Sequence, residues 1–144
     1  NNAQQFLKAM YGNMPNKWNS NLNGYDRYRL IINCLTRLRY VGPDIELDFI
    51  EKNHPRESKN PELIPWFEIN NRVNQEYRII FGHWSNLNFY SKSNIICLDG
   101  GCVFGGMLTA IDIDQPSTPI TVGASSNYFP ISKLEQGYEG ETGN

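Results

Sequence analysis

The chain has 144 residues, a formal net charge of −2 and 40% apolar residues, with seven Phe, eight Tyr and three Trp. That length suits one modest domain with a core of its own, and the aromatic content excludes a disordered chain. A near-neutral charge leaves no electrostatic footprint for duplex nucleic acid or an anionic membrane, and no stretch approaches the roughly 20 apolar residues of a membrane span.

No signal-peptide pattern opens the chain, so a cytoplasmic protein without membrane partners is expected. Cys34, Cys97 and Cys102 are odd in number and sit in apolar surroundings. Without a Cys-x-x-Cys or paired-histidine spacing, they read as small buried hydrophobes in a reducing compartment. The chain opens Asn1-Asn2-Ala3-Gln4-Gln5, with no methionine and already inside helical sequence, as a fragment or a processed chain would.

Residues 3–11 carry helical propensity and end at Gly12. Asn13–Asn21 is rich in turn formers and reads as an ordered loop pinned by Trp18. The clearest helix is expected from about Tyr25 to Tyr40, stopped by Gly42-Pro43. Its apolar arc holds Tyr28, Ile31, Ile32, Leu35 and Leu38, with Arg29, Asn33 and Thr36 opposite. On that wheel Arg39 projects into the apolar arc and Arg37 lies off it. An arginine on a buried side calls for a carboxylate partner, a snorkelling path or an anionic ligand. Ile45–Phe49 alternates like a short strand. Glu51–Pro65, with three prolines and His54, reads as a long exposed loop, after which Trp66 and Phe67 re-enter the core. From Tyr77 the period changes, and strands are expected near 78–81, 94–98, 107–113 and 119–122. The result is a helical half followed by an antiparallel half, an α+β domain. After Ala124 periodicity is lost and a flexible tail is expected.

No phosphate-binding glycine loop, dinucleotide fingerprint or nucleophile elbow is present. Gly100–Gly106 is glycine-rich but joins two strands and opens no helix, so tight turns explain it better than a phosphate cradle. Asp99 ends an apolar strand and can serve as a ligand, as a support for one, or as the start of an Asp-Gly turn. His83, in Phe81-Gly82-His83-Trp84, sits where a strand ends, a rigid place from which to aim an imidazole. A metal centre needs three or more converging donors, and the residues alone name no reaction.

Arg78-Ile-Ile-Phe-Gly-His-Trp-Ser85 and Ile96-Cys-Leu-Asp-Gly-Gly-Cys-Val-Phe-Gly-Gly-Met-Leu-Thr109 resemble the C-terminal half of the symmetrical bis(5'-nucleosyl)-tetraphosphatases. These are phosphoprotein-phosphatase-like metallophosphoesterases. Ala9-Met-Tyr-Gly-Asn-Met-Pro-Asn-Lys-Trp18, Asn33-Cys-Leu-Thr-Arg-Leu-Arg39 and Pro65-Trp-Phe67 extend the likeness, collinearly, over roughly residues 6–114. The resemblance implies a metallophosphoesterase β-sandwich flanked by helices, of which this chain is the C-terminal part. Residues 1–75 would be its helical cap region, 76–124 the C-terminal strands with the Gly-His motif, and 125–144 the tail.

The implied reaction is symmetrical hydrolysis of dinucleoside tetraphosphates, with two divalent metal ions, manganese or cobalt, activating water. His83 carries over as a ligand to one metal, Arg37 and Arg39 as polyphosphate contacts, Trp84 as a substrate contact or a packing residue, and Asp99 as a support for the site. The other metal motifs and the catalytic His/Asp pair have no match here. The resemblance therefore implies no catalytic residue in this chain, a missing N-terminal half as partner, and a fragment inactive alone. Nucleotide-capped RNA ends are a further implied substrate. Gly100 stands where the family usually has threonine. The competing expectation is a stand-alone, non-catalytic nucleotide-binding or interaction domain.

Overall fold

The longest element, α2 (Gly24–Arg37), follows α1 (Asn2–Ala9) and faces inward with its polar side. The computed structural model describes residues 2–115 and 118–125, and it divides into two units, one ending at Gln75 and one beginning at Glu76. The expected tail lies, beyond residue 125, outside the described residues.

In the first unit Arg29, Asn33 and Arg37 form a stripe at four-residue spacing, which puts them on one face of α2. The Arg29 guanidinium donates to the carbonyls of Ala9 and Met14, each at 2.6 Å, and Asn33 Nδ2 donates to the Gly12 carbonyl at 2.9 Å. Residues 9–14 are therefore held by the face expected to meet solvent. The satisfaction of backbone carbonyls explains the reversal, because a loop laid on a helix brings orphan acceptors that only donors can meet. On the expected apolar arc, Tyr28 and Leu35 remain 51% and 80% exposed.

α2 ends at Arg37, short of the expected Tyr40, because Leu38 is already extended with ψ 128°. Tyr40–Val41 instead forms β1, the centre of an antiparallel sheet of order β2-β1-β3 with β2 (Leu47–Asp48) and β3 (Ile64–Pro65). Tyr40 and Val41 are fully buried, and their packing overrides the local helical pattern. Arg39 accordingly lies beyond the helix, and its expected place on the apolar arc does not hold. Gly42-Pro43 opens the β1–β2 turn, closed by the Gly42 amide donating to the Glu46 carbonyl at 2.9 Å, with Ile45 at φ +63°. The strand expected at Ile45–Phe49 is thereby cut to two residues. The loop from Glu51 is tied down more than expected. The Tyr40 hydroxyl donates to the Asn53 carbonyl at 2.8 Å, and the Glu51 carboxylate accepts from the Asn53 and Lys52 amides and the Ser58 hydroxyl. Leu30, Val41 and Leu47 form the core, with Leu22, Leu38, Phe49 and Ile69 around them.

The described residues of the second unit form two three-stranded sheets. One, of order β4-β6-β5, comprises β4 (Ile79–Phe81), β5 (Tyr90–Lys92) and β6 (Ile95–Cys97). All three residues of β6 are buried, as a continuous apolar run in a central strand should be. The expectation of antiparallel strands throughout fails at one place: β4 and β6 run parallel, with Phe81 opposite Cys97. The second sheet, β7 (Asp99–Gly100), β8 (Met107–Ala110) and β9 (Ile120–Gly123), is antiparallel. Among the described residues two α-helices and small, mostly antiparallel sheets make an α+β arrangement.

Candidate functional site

The parallel pair β4 and β6 sends two chains out of one sheet edge, side by side. The ladder continues one step past the strands, where the Leu98 amide donates to the Phe81 carbonyl at 3.0 Å. Gly82 then comes close to Asp99, since a Cβ built on Gly82 would lie 3.9 Å from the Asp99 Cβ. His83 and Asp99 thus follow the carboxyl ends of neighbouring parallel strands, the edge where open α/β sheets place their sites.

His83 is exposed and has φ +65°, the left-handed region that a non-glycine residue occupies at a cost of about 1–2 kcal/mol. Histidine is among the residues that tolerate this region better than most, and such outliers cluster at functional sites. The next residue works the other way. Trp84 has no exposed surface, and its carbonyl accepts from the Leu87 amide at 2.9 Å and from the Cys97 thiol at 4.0 Å. A buried indole therefore anchors the loop whose preceding residue is turned outward. Burial pushes the Cys97 thiol up to about 11, against a hydrogen bond from the Asp99 backbone that lowers it, which favours the neutral thiol.

Asp99 is half-buried and accepts the Gly101 amide at 3.1 Å, the Asp-Gly turn geometry foreseen for it. Gly101, at φ +67°, lies against Ser85, where an added Cβ would sit 3.5 Å from the serine's own. The glycine-rich stretch forms a single turn, Cys102–Phe104, between two left-handed glycines, and opens no helix. At Gly100 a Cβ would strike the Met107 carbonyl and stand 3.0 Å from the Thr109 hydroxyl oxygen. A threonine in its place would therefore need β8 to move.

His83, Trp84 and Asp99 are thus brought together in the second unit, while Arg37 and Arg39 belong to the first. Arg37 donates to Asn33 Oδ1 at 3.1 Å and to Asn13 Oδ1 at 3.0 Å, and its guanidinium lies 4.5 Å from the Phe49 ring centre. Half-buried Arg39 lends its carbonyl to the Trp66 amide at 3.0 Å. Sequence reading missed Arg29 and Asn33, whose partners include, besides Asp26 and Arg37, backbone carbonyls that no motif records. Among the described residues no three His, Cys, Asp or Glu side chains converge to hold a metal ion. The described residues offer one exposed histidine, His83, and one half-buried carboxylate, Asp99, at the ends of neighbouring strands, fewer than the three or more donors a metal centre needs.

No family model matches the chain. Curated relatives do. It is 44% identical to the symmetrical bis(5'-nucleosyl)-tetraphosphatase of Methylococcus capsulatus over 138 residues, which are 95% of this chain and 46% of the relative. With the protein of the same name from Aliivibrio fischeri strain MJ11 the identity is 44% over 90% of this chain and 44% of the relative. For Vibrio campbellii the figures are 48%, 73% and 39%. The chain spans less than half the length of these relatives and matches their C-terminal part. Among the described residues no helix is long and apolar enough to cross a membrane. With that identity running through almost the whole chain, it matches the C-terminal part of proteins named symmetrical bis(5'-nucleosyl)-tetraphosphatase.

Proposed function

We propose that this chain is the C-terminal half of a cytoplasmic hydrolase that cleaves dinucleoside tetraphosphates symmetrically into two nucleoside diphosphates, and that it is inactive by itself. The observation that carries this reading is the outward His83 at the end of a parallel strand pair, in a chain 44% identical over 95% of its length to a protein named for that reaction. His83 supplies one ligand to one of two divalent metal ions, manganese or cobalt, and the preceding part of the parent supplies the rest. When bound, such ions neutralise phosphate charge and lower the pKa of an attacking water. Asp99, close beside Gly82, holds the imidazole's surroundings in place. Arg37 and Arg39 contact the polyphosphate, and nucleotide-capped RNA ends are a second substrate.

Trp84 takes the packing role in this reading. A side chain with no exposed surface has no face to offer a base, so it acts by holding the His83 loop. A second reading, a non-catalytic binding domain, draws support from the absence of three converging metal donors among the described residues. The two readings separate in one assay, diadenosine tetraphosphate with manganese and chromatography of the products. The chain alone should give no ADP. A full-length hybrid, with this chain in place of the matching stretch of the Methylococcus capsulatus relative, should give two ADP per substrate. An inert hybrid that is folded would leave the binding-domain reading.

A further inference from the structure

The first unit contains a cavity of about 440 Å³ walled by the apolar side of α2. Ile31, Cys34 and Leu35 form one wall, with Trp18, Trp66 and Val73 on the others. Leu35 is 80% exposed, Val73 95% and Trp18 54%. Large apolar side chains gathered at one opening, on the unit's longest helix, mark a surface that something covers.

The wall chemistry narrows what that is. A small-molecule pocket needs a few polar groups aimed inward to fix orientation. Here Asn16 Nδ2 already donates to the Leu47 carbonyl at 3.2 Å. The Arg72 guanidinium donates to Asn74 Oδ1 at 2.8 Å and lies 5.3 Å from the Trp66 ring centre. Arg72 Nε is buried without a hydrogen bond, a single donor and too few to orient a nucleoside, whereas the side chains of an amphipathic segment would need none.

We propose that this cavity is the seat of an apolar segment from the part of the parent polypeptide that precedes the matched stretch. The inference rests on the reading of the chain as the C-terminal half of a longer enzyme. Its occupant is argued from length: the matched stretch is 46% of the Methylococcus capsulatus relative, so more than half of that polypeptide lies outside it. A segment of the same chain reaches the cavity at high effective concentration, which a second copy or a free partner does not. The polar stripe of α2 holds the loop within this chain, and the apolar stripe faces the absent half.

Cys34, on the cavity wall, serves as the probe. Its alkylation by N-ethylmaleimide is followed by peptide mass in the chain alone and in the full-length hybrid described above. Cover should slow the reaction at least ~10-fold in the hybrid, the protection expected of a site reached only by local opening. Leu35→Glu in the hybrid should return it to the rate of the chain alone. Equal rates in hybrid and chain overturn the proposal. So does a thiol already unreactive in the monomeric chain, protection there by adenosine, or a dimer by light scattering that shields Cys34. Protection without ADP formation would sink the hydrolase reading and keep the docking surface. ADP formation without protection would do the reverse.

Discussion

Replacing Trp84 with alanine tests whether the loop carrying His83 is anchored by packing. Trp84 has no exposed surface and lies beneath a loop that leaves β4 and returns through β5 to β6. A tryptophan buries on the order of 150–250 Å². At ~25 cal/mol per Å² its removal forfeits roughly 4–6 kcal/mol as an upper bound, and truncations of buried aromatics cost about 3–5 kcal/mol. Against a total stability of about 5–15 kcal/mol, the variant keeps only a thin margin. Hydrogen exchange resolves the effect locally, in the peptide spanning β6, which is buried at all three residues. Its slowest amides should exchange about 10²–10³ times faster in Trp84→Ala, as a loss of about 3–4 kcal/mol requires. Trp84→Phe, which keeps a ring in the site, should lose about 1–2 kcal/mol. An acceleration below about tenfold in the alanine variant would refute the packing role and reopen stacking on a base.

Asn33→Ala strips the Gly12 carbonyl and Arg37 of a buried partner. Urea denaturation should show a loss of about 1–2 kcal/mol, since Gly12 is exposed and Arg37 half-buried, so water meets part of what each stranded group loses. His83→Gly should stabilise the chain by about 1 kcal/mol by relieving the left-handed backbone, and His83→Ala should not. A rise of the melting temperature in both variants, or in neither, would count against strain at this position. Tyr40 is raised from 10 to about 12 by burial first, and then by the charges of Glu51 and Glu68. The unfolded chain sheds this proton first as pH rises. Stability from Tyr40 is therefore whole below pH 10 and falls by about 2–3 kcal/mol toward pH 12, a slope that Tyr40→Phe should abolish in pH-dependent denaturation.

That α2 is a helix and that the runs of β4 and β6 are strands was legible from apolar periodicity, but which side of α2 is buried was not, since Leu35 on the expected apolar arc is 80% exposed. Nor was the end of α2. Arg37-Leu38-Arg39-Tyr40 suits a helix locally, and only pairing with β2 and β3, segments distant in sequence, pulls Tyr40 into a strand. The inward stripe Arg29, Asn33 and Arg37 was equally hidden, because its partners include loop carbonyls, which every residue carries and no pattern displays. Tyr90-Ser91-Lys92 lacks strand alternation and became β5 through its ladder to β6. At the site, the strand-end position of His83 was readable, while its left-handed φ and the complete burial of Trp84 beside it needed coordinates. The parallel pairing that sets Asp99 close beside Gly82 depends on which edge of β4 the chain returns to, and sequence does not encode that in any short motif.

The central claim is that His83 reaches a metal ion in the full-length enzyme. The direct measurement is manganese-dependent ADP formation from diadenosine tetraphosphate by the full-length hybrid, compared with its His83→Ala variant across a manganese titration. Loss of one ligand should lower turnover at least ~100-fold at saturating substrate, and raise the manganese concentration needed for half-activity by a comparable order. Equal turnover at saturating manganese, with both proteins folded, would contradict the assignment and leave His83 as a strained turn residue.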